Sequence, residues 1–397
     1  MEDARGALNR VYLDHAATTS LAPGVLDAML PYLGGAFGNP SSVHADGRRA
    51  RAAVDAARDV IAAELRCQQR ELVFTGSGTE ADNLALRGTL ERHGAERGRH
   101  IVVSAIEHDA VLETARRLEE TGAAALSVVA CDERGVVSPE AVAGAVRDDT
   151  VAVSVMLVNN ECGVVQDVAA IAAAVRARNP RTLVHSDAVQ ALARMPAHPL
   201  ELGLDLATFS AHKLGGPKGA GALWVRHGVA IAAQATGGGQ ERNRRSGTEN
   251  VAGIVGFAAA LRRLAERRDE RMRQDERLGS LLVERLPAAV QDARLAGAGA
   301  PRVPGLAMFV VRGVRTDVLL TLLDRLGVSA SGGSACSSGA PTPSHVLLAM
   351  GVAEDEAACA LRLSVGEGTT EAEVDFAVRA VAEAAARVRG LSVAASS

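Results

Sequence analysis

Apolar positions along the chain alternate between two periods. Ala50, Ala53, Val54, Ala57, Val60, Ile61 and Leu65 recur at the three-to-four-residue spacing of a helix with one buried stripe. ELVFTGSG follows as a short apolar run that ends in a glycine turn, and Thr79 opens the next predicted helix. Further runs, IVVSAIEH, ALSVVACD, VAVSVMLVNNE, TLVHSDA, LATFSAH and GALWVRH, are unbroken enough to read as strands buried on both faces. Ser138 before Pro139, and Asp167 before Val168, Ile171 and Val175, carry the side chains that start helices. From residue 48 to 257 the alternation predicts an α/β fold with a mostly parallel sheet and helices on both faces.

Beyond that point the pattern changes. A helical stretch over roughly 249–286, rich in charge after Leu261, leads away from the sheet. It is followed by a strand at LAMFVV, a helix from Thr316, a Gly/Ser-rich loop at 331–339, a strand at LRLSV and a last helix, for which Thr370 and Glu373 form a capping box. The expected division is a large domain over 15–260 and a smaller α+β domain made of 1–14 and 261–397.

Composition narrows the possible functions. Of 397 residues, 48% are hydrophobic and 23% charged, the balance of an ordinary globular protein long enough to enclose a pocket. Aromatics make up 2% and the net charge is −4, so neither base stacking nor attraction to phosphate backbones or acidic lipid has material to work with. Direct nucleic-acid binding is excluded on those grounds. MEDARGALNRVYLDHAATT lacks the apolar run of a leader and no later stretch has spanning length, which predicts no membrane association and a cytoplasmic location. Five cysteines at 67, 131, 162, 336 and 359 include no C-x-x-C pair, so no disulfide framework and no metal site are expected.

One bias points to chemistry. Among 43 basic residues only Lys213 and Lys218 are lysine. Arginine serves most surface roles but cannot form a Schiff base with an aldehyde, so a required amine resists replacement. Lys218 reads as a solvated-loop residue, whereas Lys213 has telling neighbours. SAHK places Ser210, His212 and Lys213 beyond one strand, and SDAVQ places Asp187 and Gln190 beyond another. Carboxyl ends of such strands form the ligand crevice of open α/β sheets. TGSGTEADN adds a strand-to-helix turn at Gly78 and Thr79 whose amides suit a phosphate, although glycine turns also occur for steric reasons alone. Pyridoxal phosphate needs a lysine, a carboxylate for its ring nitrogen and an anion pocket, and this set meets all three needs. Singly, Asp187 could cap its turn and His212 could be a core histidine. Cys336 stands in SASGGSACSSG, small residues that would let a thiol be reached, while Cys67, Cys131, Cys162 and Cys359 read as packing residues.

Together these motifs resemble cysteine desulfurases, the NifS/IscS-like branch of class-V, fold-type I pyridoxal-phosphate enzymes. The resemblance runs through YLDHAATT (12–19), FGNPSSVH (37–44), EH (107–108), VNNE (158–161), HK (212–213), GGGQERNRRSGTEN (237–250), GSACSSG (333–339), PSHVLLAMG (343–351) and LRLSVG (361–366). It implies a seven-stranded large domain and a small domain carrying the cysteine loop. Lys213 would bind the cofactor aldehyde, His108 would stack on the ring and move protons, and Asp187 and Gln190 would hold the ring nitrogen and hydroxyl. Gly78, Thr79, Ser210 and His212 would bind phosphate, joined by Thr248 from a second subunit. Asn160 would touch cofactor and substrate, Asn39 and Arg362 substrate.

The implied reaction takes sulfur from L-cysteine, leaving alanine and a persulfide on Cys336 for a protein acceptor, in a homodimer. Glu367 stands where the family often has a basic residue, the position at which substrate or partner preference would differ. Two other readings stay open: a same-fold aminotransferase, lyase or selenocysteine lyase that does not use Cys336, and a catalytically silent scaffold or sulfur carrier.

Overall fold

The computed structural model describes residues 10–333 and 342–396, so the expected cysteine loop is described only at its two ends and Cys336 lies outside the described residues. All seven apolar runs become strands of one sheet. In spatial order they are Leu72–Thr75, Gly221–Val225, Leu206–Ser210, Leu183–Asp187, Thr150–Ser154, His100–Ser104 and Ala125–Val129. Neighbours from Leu206–Ser210 to Ala125–Val129 run parallel, and Gly221–Val225 is antiparallel to both of its neighbours. Every strand but Ala125–Val129 is buried along its whole length, which is why their sequences lack alternation.

Helix starts follow the predicted caps. Ser138 Oγ accepts from the amides of Glu140 and Ala141, and Asp167 accepts from that of Ala170. VAVSVMLVNNE is a shorter strand than its apolar length suggests, because the chain leaves the sheet after Ser154. Asn159 then folds the following turn, its Oδ1 accepting from the amides of Glu161 and Cys162, both at 2.9 Å.

The predicted helical stretch after residue 249 is two helices, Val251–Glu266 and Arg268–Ala289, parted at Arg267. The second packs Leu278, Leu282 and Leu286 with Val374, Ala377 and Val381 of the last helix, Glu371–Ser396. Both cover a three-stranded antiparallel sheet in the order Ala360–Ser364, Leu306–Val311, Ala293–Leu295. Val11 and Leu13 join this apolar cluster, and Val11–Tyr12 pairs in parallel with Val328–Ser329. The N-terminal strand thus ends against the smaller sheet just before Ala16 and Ala17 turn toward Lys213.

Glu367 is turned to the helix junction, where it pairs with both Arg263 and Arg267 at 2.5 Å. Its charge therefore clasps the turn after the Ala360–Ser364 strand to the seam between the two long helices.

The edge strand Leu72–Thr75 is covered by a buried ion pair. Arg58, from the helix Ala45–Glu64, donates to the Leu72 carbonyl at 2.8 Å and to Glu241 at 2.6 Å, and lies 4.4 Å from the centre of the Phe74 ring. Glu241 also accepts the Phe74 amide at 2.9 Å. Both charged side chains are 3% exposed. Glu241→Ala, which strands the Arg58 charge, is expected to lower unfolding free energy by about 3–5 kcal/mol in urea titration.

Among the described residues no helix is long and apolar enough to cross a membrane, and no group of three or more His, Cys, Asp or Glu could hold a metal.

Candidate active site

Two adjacent parallel strands and the turn after the second deliver the site. Asp187 closes Leu183–Asp187, Ser210 closes Leu206–Ser210, and a single 3-10 turn, Ala211–Lys213, puts His212 and Lys213 at the same sheet edge. Lys213 Nζ donates to the carbonyls of Ala16 and Ala17 at 2.7 and 2.8 Å. Gln190 Nε2 donates to the same Ala16 carbonyl at 2.8 Å. His212 Nδ1 lies 3.1 Å from Thr18 Oγ1. The YLDHAATT segment is therefore the wall on which the lysine, the glutamine and the histidine rest.

Across from Lys213, His108 caps the helix Asp109–Glu120, its Nδ1 accepting the Ala110 amide at 3.0 Å. That bond leaves Nε2 as the nitrogen that carries the proton. Asp187 is 5% exposed and accepts the Val189 amide at 2.9 Å. Burial pushes its carboxyl above the usual carboxylate range, while His108, the amide bond and Lys213 pull it back down. The structure thus brings Lys213, His108 and Asp187 into one electrostatic unit.

The glycine turn meets this unit at Ser210. Ser77 caps the helix Gly78–Arg97, its Oγ accepting the Glu80 amide at 3.0 Å. A Cβ on Gly78 would stand 2.9 Å from Val189 and 3.5 Å from Ser210, so glycine is required for the turn to lie this close to the sheet edge. Thr79 is exposed at the opening of that helix. His212 is lowered to about 4 by burial and by the nearby Lys213 and Lys218 charges, and so stays a neutral donor or acceptor at neutral pH.

Arg362 and Asn160 meet at the neighbouring wall. Arg362 is 2% exposed, donating to the Asn160 carbonyl and to Asp14, both at 2.9 Å. Asn39 and Thr248 lie on exposed loops. Asn39 is exposed in the loop before the helix Ala45–Glu64, where its side chain accepts the Ser41 amide at 2.9 Å. Thr248 is also exposed, in the segment anchored to the glycine turn by the Arg245–Glu80 ion pair at 2.7 Å. The half-buried Cys67 and Cys131 and the buried Cys162 are raised to about 12, 11 and 12, chiefly by burial, which makes them inert as nucleophiles.

Residues behind Asp187 escaped the sequence reading. Asp82 and Glu107 are buried acids, 1% and 0% exposed, and His185 lies 3.6 Å from Asp82. Thr208, the cross-strand neighbour of Asp187, lies 3.1 Å from His185 Nε2. Burial, then the Asp187 charge, pushes Asp82 well above the usual carboxylate range. Burial pushes Glu107 up to about 8, against the bonds from Ser104 and Met156. Acids in mid-helix or beside a noted histidine give no sequence signal of burial.

Glu107 keeps in the folded protein a proton that the unfolded chain releases near 4.5. Its stabilising contribution is therefore complete at low pH and is lost as pH rises toward about 8. The melting midpoint of the cofactor-free protein is expected to fall between about pH 6 and 8, and Glu107→Gln is expected to flatten that fall.

The chemistry of this donor set fits one group. Ser210 Oγ and Asn160 Oδ1 are buried without a partner among the described residues, the Gly78 turn packs close to Ser210, and an amine and a carboxylate stand at the same sheet edge. An aldehyde, a basic ring nitrogen and a phosphate on one small molecule answer those features. The fold and site are those of a pyridoxal-phosphate enzyme of fold type I.

The chain belongs to the class-V aminotransferase family, whose model matches residues 11–376. It is 41% identical over 383 residues to the putative cysteine desulfurase IscS 1 of Bacillus subtilis, covering 96% of this chain and 100% of that protein. It is 40% identical over 390 residues to the IscS-like cysteine desulfurase of Mycobacterium tuberculosis, covering 97% and 98%. Among solved structures, a NifS-like protein matches with TM-score 0.88 and 37% identity over 94% of this chain and 98% of that one. SspA in complex with cysteine matches with TM-score 0.76 and 30% identity, over 89% and 98%.

Proposed function

We infer that the chain is a cysteine desulfurase, taking sulfur from L-cysteine to give L-alanine and an enzyme persulfide on Cys336. The observation that carries the reading is the Lys213, His108 and Asp187 unit at the sheet edge, in a chain alignable over almost its whole length with desulfurases.

Gly78, Thr79, Ser210 and His212 would hold the phosphate of pyridoxal phosphate, Asp187 its ring nitrogen and Gln190 its hydroxyl. When bound, the cofactor supplies an aldehyde for amine exchange and an electron sink for the substrate α-carbon. Lys213 Nζ leaves the Ala16 and Ala17 carbonyls and takes the α-proton, and His108 Nε2 relays protons near it. Arg362 and Asn160 orient the substrate carboxylate, which requires Arg362 to exchange Asp14 for the substrate. The Cys336 thiolate places an electron pair on the substrate sulfur. A sulfur–sulfur bond forms as the carbon–sulfur bond breaks, and the former β-carbon takes a proton to become the methyl group of alanine. The outer sulfur then passes to a thiol of an acceptor protein.

A homodimer is supported by a run of exposed apolar side chains in one stretch of the chain. Leu26, Leu30, Leu33, Phe37 and Val43 are 49, 52, 63, 81 and 89% exposed, more than an isolated subunit ordinarily leaves to water in one place. In that dimer Thr248 would reach the partner's phosphate site. The division at 15–260 against 1–14 and 261–397 is our reading of the two sheets and is supported by the separate apolar cluster over the smaller one. A cytoplasmic location agrees with a reaction that depends on a free thiol.

The test is L-cysteine turnover under reductant. Equal amounts of alanine and sulfide support the desulfurase, whereas pyruvate with sulfide and no alanine would make the enzyme a lyase.

A further inference from the structure

Asp82 has a placement that neither cofactor nor substrate binding explains. It sits in the second turn of the helix Gly78–Arg97, 1% exposed, and its Oδ1 has no hydrogen-bond partner among the described residues. An acid held there is costly when charged and much less so when it keeps its proton.

The sheet beneath it is polar in one patch. His185 and Asp187 are two residues apart on one strand and so share a face, and Thr208 is the register partner of Asp187 on the next strand. His185 Nε2 lies 3.6 Å from Asp82 Oδ1 and 3.1 Å from Thr208 Oγ1, and its Nδ1 is 2.8 Å from Ser154 Oγ on the strand to the other side. The Thr208 hydroxyl also hydrogen-bonds the Asp82 carboxyl. One threonine therefore joins the helix acid to the strand beside Asp187.

A third acid closes the group. Glu107 is 0% exposed, accepts from Ser104 Oγ and from the Met156 amide, the latter at 2.9 Å, and leaves Oε2 unpartnered among the described residues. Asp82 feels the charges of both Asp187 and Glu107, and Glu107 that of Asp187. Three carboxyl groups this close and this dry cannot all be ionised. The positive groups His108 and Lys213 act on Asp187, which also accepts the Val189 amide. His185, lowered to about 3 by burial, brings Asp82 no positive charge at neutral pH. The negative charge therefore belongs on Asp187.

We propose that Asp82 is a positioning residue for Asp187: a protonated carboxyl, set by His185 and Thr208, that backs the one anionic carboxylate of the three. A charged Asp82 would draw a proton onto Asp187, and an apolar side chain would leave the His185 and Thr208 polar groups short of a partner. The consequence for the cofactor rests on Asp187 being the partner of the ring nitrogen; the proton on Asp82 does not.

The experiment uses the full-length protein stripped of cofactor, pyridoxal phosphate to reload it, and the variants Asp82→Asn, Asp82→Ala and Asp187→Asn. An infrared difference spectrum between stripped wild type and stripped Asp82→Asn at neutral pH reads the carbonyl stretch of a protonated carboxyl, which an ionised one lacks. That band is expected in wild type and lost in Asp82→Asn. Titration with pyridoxal phosphate then reads how well Asp187 is placed. Asp82→Ala is expected to raise the dissociation constant about tenfold, and Asp82→Asn, a neutral side chain of the same shape, to stay within about threefold of wild type. Asp187→Asn should weaken binding by at least about tenfold. No band lost in Asp82→Asn means an ionised Asp82 and overturns the proposal. So does equal weakening by Asp82→Asn and Asp82→Ala, or no weakening by Asp82→Ala. If Asp187→Asn binds the cofactor as tightly as wild type, the ring-nitrogen assignment of Asp187 fails, and the infrared band by itself supports or overturns the proton on Asp82.

Discussion

Lys213→Ala is expected to lower L-cysteine turnover by about ten-thousandfold or more, the scale on which a covalent catalytic group is lost. The protein should remain folded, because Lys213 Nζ makes two hydrogen bonds to carbonyls at a partly open sheet edge. Lys213→Arg should be just as inactive, since a guanidinium cannot condense with an aldehyde or accept an α-proton at neutral pH. Lys218 gives the control: it is exposed directly after the Gly216–Pro217 step, and Lys218→Arg should retain turnover. Borohydride reduction followed by peptide mass analysis checks the assignment directly, with the cofactor expected on the peptide containing Lys213. Attachment at Lys218 would overturn it.

Cys336→Ser is expected to remove alanine formation to a similar degree while leaving the cofactor spectrum intact. Serine keeps the size and polarity of the side chain, but its alkoxide is unavailable near neutral pH and an oxygen cannot form a persulfide. The loss should therefore lie in the sulfur-transfer step alone, seen as a normal spectral change with L-cysteine followed by no product. The other thiols do not substitute. Cys67, Cys131 and Cys162 are half-buried or buried and held protonated by their surroundings. Full-rate release of alanine and sulfide by Cys336→Ser would replace the persulfide mechanism with a lyase.

Much of this site was readable before the fold was known, for a physical reason. Strands buried on both faces are written as unbroken apolar runs, and their carboxyl ends are where polar residues return. SDAVQ and SAHK mark such ends, so Asp187 and Lys213 could be placed at one edge without knowing the strand order. That order was not legible, because periodicity says nothing about which strands pair, and the antiparallel Gly221–Val225 reads like its parallel neighbours. The break at Arg267 was invisible as well: no Pro or Gly marks it, and the clasp through Glu367 comes from a segment 100 residues away. Glu367 itself read as a departure bearing on substrate or partner preference, whereas its partners are Arg263 and Arg267. The buried acids Asp82 and Glu107 were hidden because an acid in sequence is ordinarily a solvated one. Only three-dimensional placement reveals that these two lie behind the reacting groups.

The central claim is that sulfur leaves L-cysteine by way of Cys336. Holoenzyme exposed to L-cysteine without reductant, digested and mapped by mass, tests it most directly. The account expects one additional sulfur on the peptide carrying Cys336, formed together with one alanine per subunit and absent in Lys213→Ala. Alanine released with no sulfur retained on Cys336, or sulfur found instead on Cys131 or Cys67, would contradict it.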